Sequence, residues 1–112
     1  MSRHTELVKK FYIAFSKADR DFVEDLLAEN FTFSAPPDPF LDRKGFFDVC
    51  WPGAGSLDNF EFVRLVEHGD EVIATYEFEK PDGTKACNTE VLTFDGDKVC
   101  RSEVYFGWNI TE

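Results

Sequence analysis

Residues 87–108, CNTEVLTFDGDKVCRSEVYFGW, read as two β-strands around a tight turn at Asp95-Gly96-Asp97. Side chains alternate across a strand, so Asn88, Glu90, Leu92 and Phe94 share one face, while Cys87, Thr89, Val91 and Thr93 share the other. A carboxylate in a row with Leu92 and Phe94 leaves two readings. Either that face opens into a polar-lined cavity, or the strand shows Glu90 to solvent with a cross-strand partner such as Arg101. The turn closes with three or four residues, and a one-residue slip exchanges Arg101 for Ser102 as the neighbour of Glu90 on its face. Both registers fit the sequence.

Upstream of this hairpin the same pattern repeats. NFEFVRLVEHG and DEVIATYEFEKPDG alternate in the same way, with turn signatures at His68-Gly69-Asp70 and Pro81-Asp82-Gly83. Strands joined so tightly run antiparallel, which predicts a four-strand meander after residue 57. The first half of the chain is helical. Leu7, Val8, Phe11, Tyr12, Ala14, Phe15 and Ala18 recur at helical spacing, predicting a helix over 4–18. Phe22, Val23, Leu26 and Leu27 mark a second helix over 20–29. Phe31 and Phe33 alternate with Thr32 and Ser34 in a short strand at 31–34, stopped by Pro36, Pro37 and Pro39. Asp42 caps a third helix over 42–50, and the glycines of WPGAGS open a loop after it.

A chain of 112 residues with 43% apolar content is one domain with a real core, and residues 1–112 show no linker or repeat. Thirteen phenylalanines fill a wide interior or line one. The net charge of −10 is spread along the chain, as on a folded surface. Concentrated positive charge is missing, which argues against nucleic acid and against an anionic membrane surface as partners. No stretch reaches the ~18 apolar residues of a membrane span, and the N-terminus lacks the pattern of a signal peptide. Cys50, Cys87 and Cys100 have no metal-type spacing and read as small apolar thiols, although Cys87 and Cys100 can face each other across the hairpin. A cytoplasmic location is the expectation. His4 and His68 are too far apart for a His-rich metal motif, and no phosphate-binding glycine loop occurs, so neither metal nor cofactor is expected.

In the order of these elements, the chain resembles the SnoaL-like and ketosteroid-isomerase-like branch of the nuclear transport factor 2 superfamily, which has a cystatin-like fold. The helix ending FYIAFSKAD, the passage LLAENFTFSAP and the pair TEVLTFDGDKVCRSEVYF carry the likeness. The resemblance implies an α+β cone: three N-terminal helices packed in a strongly curved, mixed but mostly antiparallel sheet, with a pocket at the open end. It also implies a homodimer through the outer sheet face. Apolar residues on both rows of several strands, such as Ile73 and Tyr105, agree with a second buried face.

The family's isomerases use a tyrosine on the first helix and a protonated acid on the penultimate strand as oxyanion donors. Tyr12 and Glu90 fall at those places. Their catalytic aspartate falls at or beside Ala35, so that base is absent and Asp38 is the nearest carboxylate downstream. Tyr12, Glu90 and Asp38 are therefore the candidate catalytic groups. The candidate ligand-binding residues are Asn88, Phe15, Phe33, Trp51, Ser102 and Trp108. Abundant phenylalanine with sparse polar anchors suits a small hydrophobic molecule carrying a carbonyl or hydroxyl. Two functions stay open: a cofactor-independent isomerase, cyclase or dehydratase, and a non-catalytic binding protein for such a ligand.

Overall fold

The computed structural model describes residues 3–110, apart from the side chain of Pro39. Helix α1 spans Arg3–Ser16 and α2 spans Arg20–Leu26. Strands β1 (Leu27–Ala35) and β2 (Asp38–Asp42) follow, then α3 (Arg43–Val49) and a single 3-10 turn at Trp51–Gly53. The meander is β3 (Asp58–His68), β4 (Glu71–Glu79), β5 (Lys85–Asp95) and β6 (Lys98–Ile110).

These strands form one six-stranded sheet in the order β2-β1-β6-β5-β4-β3. All neighbours are antiparallel except β1 and β6, which run parallel, as the long connection through the meander permits. The turns fall where the sequence places them, and Gly96 takes a φ of 63° between β5 and β6.

The expected strongly curved cone is not what forms. The sheet is neither strongly curved nor closed, and β2 and β3 are its two free edges. Closure would require those edges to share a ladder. Instead α1 lies over β3 and β4 while α3 lies over β1 and β2, so helices cover the inner face without a closing ladder. Two boundaries also move. The second helix stops at Leu26, three residues short of its expected end, because Leu27 already has extended backbone. The first strand is correspondingly longer, and the proline-rich segment turns back as β2. Pro39 is tolerated there because β2 is an edge strand.

Side-chain caps start both short helices. Asp19 Oδ1 accepts from Phe22 N at 3.3 Å, and Asp42 Oδ1 accepts from Gly45 N at 2.7 Å. His4 fastens the start of α1 to the sheet: its ring stacks on Phe94 at 4.0 Å, and Nε2 lies 2.8 Å from the Gly96 carbonyl. The core gathers Val8, Phe11 and Tyr12 of α1, Phe31 of β1, Phe46 and Phe47 of α3, and the inward rows of β4 and β5. Phe46 sits edge-on to Phe31 at 5.4 Å and tilted against Phe33 at 5.2 Å, which locks α3 to β1.

Candidate active site

Glu90 lies on the inner face of β5 and is 4% exposed. Its neighbours follow from two registers. Between β4 and β5, Ala74 pairs with Glu90 and Tyr76 with Asn88, so Tyr76 is diagonal to Glu90 on the same face. Between β5 and β6, Phe94 pairs with Val99 but Thr93 pairs with Arg101, leaving Cys100 as an extra residue. That bulge decides the register left open above. Ser102, not Arg101, stands on the inner face, opposite Leu92 and diagonal to Glu90. Arg101 turns outward, 3.6 Å from Glu103 and 4.0 Å from Glu71.

Three hydroxyls converge on the carboxyl group. Tyr12 Oη, from α1, donates to Glu90 Oε1 at 2.5 Å. Tyr76 Oη donates to the same oxygen at 3.4 Å, and Ser102 Oγ donates to Oε2. Burial raises the Glu90 pKa above the ordinary carboxyl value, while the bonds from Ser102, Tyr12 and Tyr76 pull it back. Burial likewise pushes the Tyr12 and Tyr76 hydroxyls well above the usual phenol value, with Glu90 adding to the shift, so both remain neutral donors. Asn88 completes the row. Its Oδ1 faces Gly107 N at 3.4 Å, which leaves its amide NH2 group for the Tyr76 hydroxyl.

This cluster forms one wall of a cavity of about 220 Å³, lined mostly by apolar side chains. Phe11 and Phe15 come from α1, Phe33 and Ala35 from β1, Phe46 and Cys50 from α3 and its end, and Phe60, Val104 and Phe106 from the meander. Asp38 enters the wall beside Pro37, at the start of β2. The Cys50 thiol is pushed up to about 11, first by burial and then by Asp38 and Glu90, so both carboxylates lie within electrostatic reach of it. A thiol held in that way is a poor nucleophile.

The structure thus brings Tyr12, Glu90, Asp38, Asn88, Phe15 and Phe33 to one cavity, with Ser102 buried directly behind Glu90. Two residues fall outside. Trp51, in the 3-10 turn, packs edge-on against the lining residue Phe15 at 5.6 Å and tilted against Phe47 at 5.9 Å, and does not itself line the cavity. Trp108 is 73% exposed and faces a neighbouring hollow, since a second bulge shifts the end of β6. Tyr76, Cys50, Phe60 and Phe106 join the site without having been singled out. Counting back from the Pro81-Asp82-Gly83 turn puts Tyr76 opposite Asn88, which is the signal that was there to find.

A family model described as a SnoaL-like domain matches residues 8–102. The chain belongs to the SnoaL-like domain family. No curated protein matches this SnoaL-like chain. Among solved structures, a protein from Kribbella flavida DSM 17836 superposes with a TM-score of 0.84 at 16% identity, over 96% of this chain and 88% of that one. A second protein of that organism, provisionally described as a ketosteroid isomerase, gives 0.81 at 14% identity, over 97% and 81%. An NTF-2 like protein from Burkholderia xenovorans LB400 gives 0.79 at 19% identity, over 96% and 84%. These likenesses place the SnoaL-like chain in the nuclear transport factor 2 fold; at such identities they carry the fold alone.

Proposed function

We propose that the protein is a small-molecule enzyme that polarises the carbonyl of a hydrophobic compound, moving a proton on the adjacent carbon without a cofactor. The convergence of the Tyr12, Tyr76 and Ser102 hydroxyls on a buried Glu90 in the cavity wall carries this reading. A count of protons says how such a cluster acts. With Glu90 ionised, all three hydroxyl hydrogens point at the carboxylate. With Glu90 protonated, its own hydrogen is donated to Tyr12 Oη or Ser102 Oγ. A protonated Glu90 that donates to Tyr12 turns the tyrosine hydrogen toward the cavity, where it meets a ligand carbonyl. Burial favours that neutral form.

Asp38, in the same wall, is the group that takes the proton from the carbon beside the carbonyl and returns it elsewhere on the substrate. Isomerisation, cyclisation and dehydration all begin with this step. At about 220 Å³ the cavity is smaller than the roughly 300–1,000 Å³ of drug-sized sites, which fits a single ring or a short chain. Incubation with small cyclic and aryl ketones in heavy water tests the proposal, with exchange of the α-protons followed by NMR. Catalysed exchange is expected, and Glu90→Gln should slow it by at least about 100-fold. A loss under threefold would leave Glu90 no chemical role.

Ala35 supports a second reading. It lines the cavity with a methyl group at the position where the resemblance puts a catalytic aspartate. If Asp38 does not reach the substrate, the same hydroxyl cluster only orients a bound carbonyl, and the protein is a carrier. Ketones that bind tightly but exchange no protons would identify that case.

A further inference from the structure

The inward row of β5 does not end at Asn88. It continues to Ala86, flanked by Phe78 on β4 and Asn109 on β6, and there the sheet is hollowed again, to about 190 Å³. This second hollow and the cavity share Asn88 and Phe106 in their walls, so they are neighbours along one face of the sheet. The hollow depends on small residues. Ala86 floors it, and Gly107 lets β6 approach so closely that an added Cβ would stand 2.4 Å from the Cys87 carbonyl oxygen.

Its chemistry differs from that of the cavity. The walls are Phe78, Phe106 and Trp108, and among the described residues Lys80 is the one charged side chain in the lining. Among the described residues, no Asp or Glu lines this hollow, in a chain that holds 22 of them. The Lys80 ammonium touches the Asn109 side-chain carbonyl at 3.4 Å. Asp82, the carboxylate that feels Lys80, is turned back onto Thr84 N at 2.9 Å. A cation over aromatic walls, beside a site for a carbonyl, suits an amphipathic anion.

We propose that this hollow is a second subsite of the same cavity, where Lys80 receives the carboxylate of a keto acid whose carbonyl meets Tyr12 and Glu90. The inference rests on the carbonyl-polarising reading and names its substrate class. Four residues of strand separate Glu90 from Ala86, about 13 Å, so the chain joining the two groups has to be several methylenes long.

The probes are 4-oxo-4-phenylbutanoate, 6-oxo-6-phenylhexanoate and 8-oxo-8-phenyloctanoate, each compared with its methyl ester by calorimetry. The longer acids should bind about tenfold tighter than their esters, the shortest acid should show little preference, and added salt should narrow the gap. Lys80→Met should abolish the preference for acid while leaving ester affinity unchanged. Glu90→Gln should weaken acid and ester together and keep their ratio. Equal binding of acid and ester to the wild type, or an acid preference that survives Lys80→Met, would overturn the subsite. So would failure of every acid to bind. An acid preference that depends on Lys80, with acid and ester affinities both unmoved by Glu90→Gln, would support the subsite and sink the carbonyl reading instead.

Discussion

Glu90 is held by hydroxyls. Its hydrogen-bond partners are Tyr12, Tyr76 and Ser102, so the carboxyl meets donors of a neutral kind in a buried place. Such a group favours the fold when protonated. Its folded pKa is raised, so its contribution is fully present below the ordinary carboxyl value of about 4.3 and is lost as pH rises through the folded value. Glutamine has nearly the same shape and does not titrate. The melting temperature of Glu90→Gln minus that of wild type should therefore be constant well below about pH 4 and grow as pH rises above it. A flat difference over that range, followed by thermal melts, would mean that Glu90 ionises as easily folded as unfolded. The donor function should follow the same proton: binding of a neutral ketone weakens as Glu90 ionises.

At the scale of elements, two bulges on β6 build the site. The one at Cys100 turns Ser102 inward, and the one opposite Cys87 opens the second hollow and sets Trp108 in its wall. Gly107 is the hinge of the latter. A methyl group there meets backbone, which cannot rotate away as a side chain would. Gly107→Ala should destabilise the protein by about 1–3 kcal/mol in urea denaturation. Gly53→Ala is the control: its nearest contact is Ser56 Oγ at 3.8 Å, and its effect should stay within about 0.5 kcal/mol. Equal effects at the two positions would show that β5 and β6 yield freely at the bulge.

Across the whole molecule, the helices cover one face of the sheet and leave the other bare. On that outer face Val66 pairs with Ile73 and Ile73 with Val91, while Thr75 and Thr89 join hydroxyls at 2.9 Å and Tyr105 lies beside Thr89, 56% exposed. An apolar strip of this kind fits the proposed homodimer, with each copy covering the other. Each chain carries −10, so the copies repel at long range and salt should favour association. Light scattering should give twice the 12.9 kDa chain mass at moderate salt, with Tyr105→Glu shifting the balance to monomer. The single-chain mass for wild type at micromolar concentration and moderate salt would rule the dimer out. Among the described residues no helix is long and apolar enough to cross a membrane.

Local chemistry alone determined the three helices, the meander and its turns, the Asp42 cap and the placing of Glu90 with Leu92 and Phe94 on one face, because side-chain period and turn residues act within a few positions; strand β2 it did not anticipate. The oxyanion-donor roles of Tyr12 and Glu90 came from the family resemblance, and their 78-residue separation closed to one hydrogen bond only in the fold. Where the choice was between registers differing by one residue, sequence was indifferent: Ser102 and Arg101 were equal candidates until the bulge at Cys100 set the ladder. Tyr76 looked like one more apolar residue, since its role needs both its own strand and the one beside it. Sheet curvature was likewise beyond reach, because it depends on how α1 and α3 fill the inner face and keep β2 and β3 apart. Trp51 and Trp108 could not be placed from their types alone, as a large ring packs wherever the backbone sends it: one against the lining, the other into the hollow beside it. Contacts between distant segments decide such matters, and only the assembled sheet supplies them.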